Sequence, residues 1–375
     1  MSSWIRWYTL LKPAVLSKVY KWMEPMNSQT NETAPAITKR YNPPFNLRRY
    51  IRANSSQLGI LGVFLGLWLI FIISAPSTFL SPRIYTAFMT STPFFAIMAI
   101  PLTVIVIAKE MDLSFPSIMA MGMVAFSFVY NQTAFIGSTV ASTTLRVGLA
   151  ILAALVTGTI IGWINGLIIV KVGIPSLVVT IGTQFFWRGA VLVLTSGANF
   201  TLDYIRGTFF HPILVGKIGG FLPMQMVWLV IVTVVVWLLL NRHKFGAHIY
   251  LTGDNINSAE LMGVNTGRTR IQAFMLVGLL SAFAGLISCF YVAYFYPNMG
   301  SGYLLNTLAS VFLGGTSVFG GTGTILGTFL GAFIIGSIDA ATVAVGLTGF
   351  LTQLIYGFII VLSVIMHTYL RKRSE

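Results

Sequence analysis

The stretch "HKFGAHIYLTGDNINSAELMGVNTGRTR", residues 243–270, is a polar and charged island between two long apolar stretches. The apolar stretches cover about residues 221–240 and 271–296. Each is long enough to cross a lipid bilayer as a helix, which needs about 20 predominantly apolar residues. The sequence therefore predicts that the island lies in a loop outside the bilayer, residues 241–270.

The composition is that of a membrane protein. Hydrophobic residues make up 56% of the 375 residues, charged residues 9%, and the mean hydropathy is +0.83, whereas a soluble domain carries about 25% charged residues. Apolar stretches lie at residues 57–76, 84–108, 112–130, 146–170, 173–196, 221–240, 271–296, 303–319, 322–343 and 349–370. Because a helix satisfies its own backbone groups in lipid, we expect an all-α polytopic membrane protein with about 10 transmembrane helices.

The distribution of positive charge predicts the orientation. Lysine and arginine flank the first span, return in the 241–270 loop and end the chain, whereas the loops at 131–144 and 297–302 contain neither. By the positive-inside rule both termini and the 241–270 loop are cytoplasmic, in a bacterial inner membrane. Arg83, Arg146, Arg206 and Lys217 fall on the outer side and run against the rule.

The chain divides into three regions. Residues 1–56 form a basic cytoplasmic extension, for which an interfacial helix around residues 4–23 and an unstructured tail both stay open. Residues 57–370 form the transmembrane domain, and residues 371–375 a basic cytoplasmic tail. Most of the positive charge lies in the extension or beside predicted helix ends, so the net charge of +14 indicates membrane lipid, and no nucleic-acid partner is expected.

A short helix is predicted inside the 241–270 loop. Asn257 followed by Glu260 forms a variant capping box before "SAELM", and Gly263 is placed to end the helix. Isolated helices shorter than about 12 residues are marginal in water, so this helix must pack against something. From the residues alone, its own bundle and a cytoplasmic partner are both open.

The loop resembles that of a known family, the permease subunits of bacterial ABC importers of the ribose/xylose type, within the branched-chain amino-acid permease superfamily. There the loop reads roughly FGR-x-x-Y-A-x-G-x-N-x-x-A-A-x-x-x-G-[IV]. This chain matches the pattern at Phe245, Gly246, Tyr250, Gly253, Asn255, Ala259, Gly263 and Val264. The resemblance implies that the short helix docks into a cleft of an ATPase subunit. It implies this coupling role for Asn255, Asn257, Ser258, Ala259, Glu260, Leu261, Met262 and Gly263.

The resemblance implies partners as well. These are cytoplasmic ABC ATPase subunits that bind ATP and magnesium, an extracytoplasmic solute-binding protein, and a second permease copy or a homologous permease. No cofactor is expected in this chain.

Further matches run along the chain from about residue 58 to 370. The residues given structural roles by the resemblance are Asn165, Gly166, Pro175, Thr180, Gly182, Arg188 and Gly189, and Gly314, Gly315, Gly320 and Gly321 in a glycine-rich segment. The glycines indicate either close helix packing or a broken helix beside a substrate path. We expect two related halves with broken helices.

One departure from the family pattern stands out. Where the family has two small residues, usually Gly-Gly, this chain has Lys109-Glu110. Ionisable residues beside a membrane segment are costly. One interpretation is a mutual or neighbouring ion pair at the interface, and the other is altered gating or substrate choice.

Polar residues in or beside the spans are candidates for a translocation path: Thr90, Ser91, Thr92, Asp112, Ser114, Asn306 and Gln353. Asp112 is also well placed to cap the helix that follows it, with Ser114 sharing the cap. A proton relay through Asp112 is the competing interpretation.

Other classes of site find little support. His243 and His248 lack a third ligand nearby, the single Cys289 lies in an apolar stretch, and "GGTSVFGG" is not followed by the Lys-Ser/Thr of a phosphate-binding loop. We therefore expect no metal site and no enzyme. The leading hypothesis is the permease of an ATP-driven, binding-protein-dependent sugar importer. The alternative is an ion-coupled secondary transporter of a small polar solute.

Overall fold

A computed structural model describes residues 55–137, 139–344, 352–362 and 365. All of them belong to the second of two compact units, residues 51–375. The helix considered around residues 4–23 and the basic tail at residues 371–375 lie outside the described residues.

The described chain is almost entirely helical. In chain order the helices are α1 Ser55–Ser74, α2 Pro76–Phe79, α3 Pro82–Ile107, α4 Phe115–Gln132, α5 Val140–Leu167, α6 Ser176–Thr195, α7 Phe210–Val215, α8 Met224–Arg242, α9 Lys244–Asp254, α10 Ile256–Leu261, α11 Thr266–Val292, α12 Tyr303–Leu313, α13 Ile325–Ala344 and α14 Thr352–Leu362. A π-helical turn, Ile168–Val172, extends α5. Each predicted apolar stretch overlaps one of these helices.

Two short antiparallel strand pairs join the helices. Strand β1, Phe200–Thr201, pairs with β4, Tyr294–Phe295, so that Phe200 lies opposite Phe295. Strand β2, Lys217–Ile218, pairs with β3, Leu222–Pro223, in a hairpin just before α8. Because α8 then runs to the 241–270 loop, the hairpin lies at the opposite end of the bundle. We call these two ends the loop end and the far end.

Five of the described helices are long and apolar enough to cross a membrane: Pro82–Ile107, Val140–Val172, Ser176–Thr195, Met224–Arg242 and Thr266–Val292. Large apolar side chains stay exposed on several of them, as Phe185 (73%) and Val193 (78%) do on α6. In water such a surface would be unfavourable, whereas lipid tails solvate it. The prediction of an all-α polytopic membrane protein is confirmed.

Glycines allow close backbone contact between α5 and α11. Gly158, Gly162 and Gly166 follow one another at four-residue spacing on α5 and face α11. A Cβ on Gly162 would overlap the carbonyl oxygen of Phe274, and one on Gly166 would lie 2.8 Å from the Cα of Ile271. Small residues of this kind allow the backbone contact that associates helices in lipid.

Helix α3 is the central helix of the bundle. Its residues from Thr92 to Ile107 are buried without interruption, although Pro93 and Pro101 lie within it. Thr103 Oγ1 bonds the carbonyl of Ala99 at 3.0 Å and lies 2.6 Å from Thr328 Oγ1 on α13. This buried pair of hydroxyls ties α3 to α13.

The predicted break in the C-terminal half is present, but its bounds differ from the prediction. Helix α12 ends at Leu313 and α13 begins at Ile325, where the sequence predicted spans at 303–319 and 322–343. The cause is backbone conformation, because Gly315, Gly320 and Gly321 all have positive φ and cannot continue a helix. Residues 314–324 therefore form a non-helical connection, which we call the glycine segment.

The α5–α11 contact yields a stability prediction. Gly162→Ala should lower the melting temperature of the purified protein in detergent by several degrees, because overpacking a tight contact costs about 1–3 kcal/mol. The matched control is Gly66→Ala on α1, where an added Cβ meets nothing within 4 Å and helix propensity favours alanine by about 1 kcal/mol. Equal melting temperatures for the two variants would contradict this account.

Candidate functional site

The 241–270 loop is folded into two helices, α9 and α10. The turn into α9 is held by His243, whose Nδ1 accepts a hydrogen bond from the Phe245 N–H at 3.1 Å. Gly246 makes the turn possible, because a Cβ there would overlap the carbonyl of Leu240. The Tyr250 hydroxyl donates to the Gly323 carbonyl at 2.9 Å, and burial raises the pKa of this phenol.

The start of α10 differs from the predicted capping box. Its N-cap is Asn255, whose Oδ1 accepts from the Ser258 N–H at 3.0 Å. Glu260 does not reach back to Asn257, because its Oε1 accepts from the Thr266 hydroxyl at 2.6 Å. The helix therefore begins two residues earlier than the sequence indicated, and the glutamate ties α10 to the start of α11.

The end of α10 follows the prediction. Gly263 has a φ of +83°, its N–H bonds the Glu260 carbonyl at 2.9 Å, and the Val264 N–H bonds the Ala259 carbonyl at 3.0 Å. These two bonds and the left-handed glycine make a Schellman motif. A helix of six residues is marginal by itself, so it is stabilised by the caps at both ends.

The side chains of α10 divide into two faces. Ala259 is fully buried against its own chain, whereas Leu261 is 90% and Met262 61% exposed. Asn257 and Ser258 are also exposed. Two neighbouring apolar side chains are thus presented outward from a rigid, capped turn.

Three segments of the chain meet at the carbonyl of Ile107, the last residue of α3. The Gly321 N–H of the glycine segment donates to it at 2.9 Å. Gly253, near the end of α9, packs so close that a Cβ would overlap the Ile107 oxygen. The 241–270 loop, the glycine segment and the end of α3 are therefore in direct backbone contact.

Lys109 and Glu110 do not pair with each other. Glu110 forms an ion pair with Arg270 on the first turns of α11, with 2.5 Å between Oε1 and the guanidinium. Lys109 Nζ donates to the backbone carbonyl of Asp254 at 2.8 Å. The neighbouring ion pair expected at this position is present, but both side chains reach the 241–270 loop, which the sequence did not indicate.

Asp112, Ser114 and Asn165 form a buried polar network. Asp112 Oδ1 accepts from the Ser114 N–H at 2.7 Å and from its hydroxyl at 2.6 Å, while the Asn165 amide donates to Ser114 Oγ at 2.8 Å. The expectation that Asp112 caps α4 is wrong, because the N-cap is Ser114 and it makes no side-chain cap bond. The carboxylate instead closes a turn in the connection at residues 108–114.

The remaining path candidates have different surroundings. Thr90 and Ser91 donate to carbonyls one turn back in α3, and Thr92 is fully buried against α13 at Gly336. Asn306 is half-buried on α12, and Gln353 is exposed on α14. Their role in translocation stays a prediction.

The family-like residues around α6 differ in their contacts. Pro175 is the N-cap of α6, and Thr180 bonds its own helix at the Ser176 carbonyl. Arg188 donates to the carbonyls of Pro116, Pro297 and Met299, which satisfies a cation within a predicted span. Gly182 and Gly189 have open space around them.

A second cation that the sequence left unexplained is held in a similar way. Arg146, which ran against the positive-inside rule, donates to the carbonyls of Gly137 and Tyr130 and lies 4.1 Å above the ring of Tyr130. That ring stacks on Tyr204 at 3.8 Å. The positive charge of Arg146 is therefore satisfied by contacts within the chain. Its departure from the positive-inside rule could have indicated such a contact from the sequence.

Comparison with known proteins gives the family. Residues 84–364 match the family described as branched-chain amino acid transport system / permease component. The chain belongs to this family. As a permease with several apolar helices it is a multi-pass membrane protein, which in bacteria lies in the inner membrane.

Two relatives cover most of the permease. The ribose import permease protein RbsC of Escherichia coli (strain K12) is 30% identical over 308 residues, 80% of this chain and 91% of the relative. The autoinducer 2 import system permease protein LsrC of Yersinia pestis (strain Pestoides F) is 28% identical over 318 residues, 83% of this chain and 84% of the relative. No solved structure matches the permease.

The two faces of α10 yield a prediction for the isolated permease. Ala259→Arg should lower its melting temperature or its yield, because an arginine cannot be buried there without an uncompensated charge, which costs several kcal/mol. Leu261→Arg should leave both unchanged, since that side chain is 90% exposed. If Ala259→Arg is as stable as Leu261→Arg, the assigned faces of α10 are wrong.

Proposed function

We propose that this chain is the membrane-spanning subunit of an ATP-driven, binding-protein-dependent importer that moves a simple sugar by alternating access. Separate ABC ATPase subunits would bind ATP and magnesium and grip the 241–270 loop from the cytoplasm. A solute-binding protein would deliver the sugar at the far end. A second permease copy or a homologous permease would complete the pathway.

The observation that carries the proposal is the form of α10. It is a six-residue helix capped at both ends, outside the described helices that could span a membrane, with Leu261 and Met262 exposed. Exposed neighbouring apolar side chains on a rigid element are typical of a docking surface. An ATPase cleft is the partner that the family supports.

A simple sugar as the substrate is consistent with the names of the relatives and with the positions of the charged residues. One relative is a ribose import permease, and a sugar needs hydroxyl partners but no counter-charge. The carboxylates with described side chains are Glu110, Asp112, Asp203, Asp254 and Glu260, and each lies in a connection, a short helix or the 241–270 loop. Asp339 lies on α13, and an ion-coupled secondary transporter would need several acids inside its spans. The import permeases among the relatives therefore favour the sugar importer over this second class.

Docking through α10 gives a direct prediction. Leu261→Arg should prevent co-purification of the ATPase with the permease, because a charge buried without a partner costs several kcal/mol, and about 1.4 kcal/mol is tenfold in affinity. The matched control is Ile218→Arg in the far-end hairpin, a position that is 54% exposed, which should retain the ATPase. Retention of the ATPase by Leu261→Arg would show that α10 is not the docking element.

Transport itself is tested in proteoliposomes that contain the permease with its ATPase and enclose the ATP. The solute-binding protein and [14C]D-ribose are added on the far-end side, with a protonophore present. We expect accumulation that requires hydrolysable ATP and persists without a proton gradient. Accumulation that collapses with the gradient would favour the secondary transporter, and no uptake of D-ribose would argue against a ribose-type sugar.

A further inference from the structure

The two residues that depart from the family pattern, Lys109 and Glu110, attach the connection at residues 108–114 to the 241–270 loop. They follow directly after α3, and their partners lie on either side of α10. Asp254 is the last residue of α9, just before the N-cap of α10, and Arg270 lies in the first turns of α11. The short helix is thus anchored to the same two residues from both sides.

The Glu110 anchor is buried. The side chain of Glu110 is 10% exposed and that of Arg270 is 18% exposed, with 2.5 Å between the charged groups. Screening by salt is weak for such a pair, and loss of one partner leaves an uncompensated charge. The pair therefore fixes the spacing between the 108–114 connection and the start of α11.

The Lys109 anchor requires an unfavourable backbone conformation. Lys109 has a φ of +63°, the left-handed region that suits the small residue found in the family and disfavours a lysine. Its ammonium group bonds the Asp254 carbonyl at the C-terminal end of α9, where the helix dipole favours a cation. Its stem passes over the glycine segment, because a Cβ on Gly320 would overlap Lys109 Cγ. These contacts of the side chain, with the Asp254 carbonyl and the glycine segment, explain why a lysine is held at a positive φ here.

The connection leads from these anchors to the interior of the bundle. One residue after Glu110, the Met111 N–H donates to Ser176 Oγ at the start of α6, at 3.0 Å. Ser114, whose hydroxyl donates to Asp112, then accepts a hydrogen bond from the Asn165 amide near the end of α5. A displacement of α10 that moves Lys109 and Glu110 therefore acts on the loop ends of α4, α5 and α6 within a few residues.

We propose that Lys109 and Glu110 are positioning residues that transmit the movement of α10 to the 108–114 connection and, through it, to helices α4 and α6. This proposal rests on the proposed function, in which the ATPase moves α10. The backbone contacts of Ile107 with Gly253 and Gly321 remain when these side chains are changed. Their loss should therefore weaken the coupling of ATP hydrolysis to transport without abolishing assembly.

The experiment compares Glu110→Gln, Arg270→Glu and the charge-reversed double variant Glu110→Arg/Arg270→Glu in the complete transporter. Three quantities are measured in proteoliposomes: the ATPase retained by the permease, the rate of ATP hydrolysis, and [14C]D-ribose taken up per ATP hydrolysed. The matched control is Asp203→Asn, which breaks the exposed Asp203–Arg206 pair at the far end, 3.8 Å apart.

Glu110→Gln should retain the ATPase and hydrolyse ATP, with uptake per ATP lower by about tenfold, within the range by which mutations change coupling. The double variant should restore uptake per ATP to at least half of the value of the unmodified permease, and Asp203→Asn should behave like the unmodified permease. A purely structural role would lower assembly and hydrolysis together. Unchanged uptake per ATP in Glu110→Gln, or no recovery in an assembled double variant, would overturn the proposal.

Lys109→Gly keeps the test decisive if the charge variants fail to fold. It introduces the small residue of the family and relieves the positive φ, so the melting temperature should not fall, while uptake per ATP should fall by about threefold. Unchanged uptake per ATP in this variant would also overturn the proposal. Failure of the unmodified complex to retain the ATPase or to take up D-ribose would instead contradict the proposed function on which the proposal rests.

Discussion

The carbonyl group of Ile107 is the constraint on which the loop end of the permease depends. It ends α3, so no helical N–H follows to bond it. The Gly321 N–H supplies that bond at 2.9 Å, and Gly253 lies against the oxygen so closely that no side chain fits between. The position of α9, and of α10 behind it, is therefore set by close backbone packing against the central helix, while the hydrogen bond fixes the glycine segment to the same carbonyl.

The parts of the fold that the sequence predicted are those that depend on local properties. Apolar length located each span, because lipid admits few alternatives to a helix. The bounds of α12 were wrong because the helix stops where Gly315 takes a positive φ and where Gly314 packs against the backbone of Thr328. That contact joins two helices, and a hydropathy pattern carries no information about it.

The same distinction holds at the candidate site. Gly263 was predicted as the end of α10 from a local rule, and the structure contains the full Schellman motif. The capping box of Asn257 and Glu260 was equally local but wrong, because the glutamate finds a better partner in Thr266, six residues away. Likewise Glu110 bonds Arg270, far along the chain, and no spacing rule connects the two. In these two cases a partner outside the predicted motif decided the outcome.

In the part of the family pattern that covers α10, the matching positions and the open positions have different roles in the structure. The residues that match it, Asn255, Ala259 and Gly263, cap the helix, fill its inner face and end it. Leu261 and Met262, the most exposed apolar residues of the helix, stand where the pattern leaves the residue type open. In the proposed function the matching positions would thus build a docking element of fixed shape, and the open positions would supply its contact surface. Specificity is a difference of affinities between partners, so under this proposal a permease would be fitted to its own ATPase at these open positions without any change to the scaffold that holds α9 against Ile107.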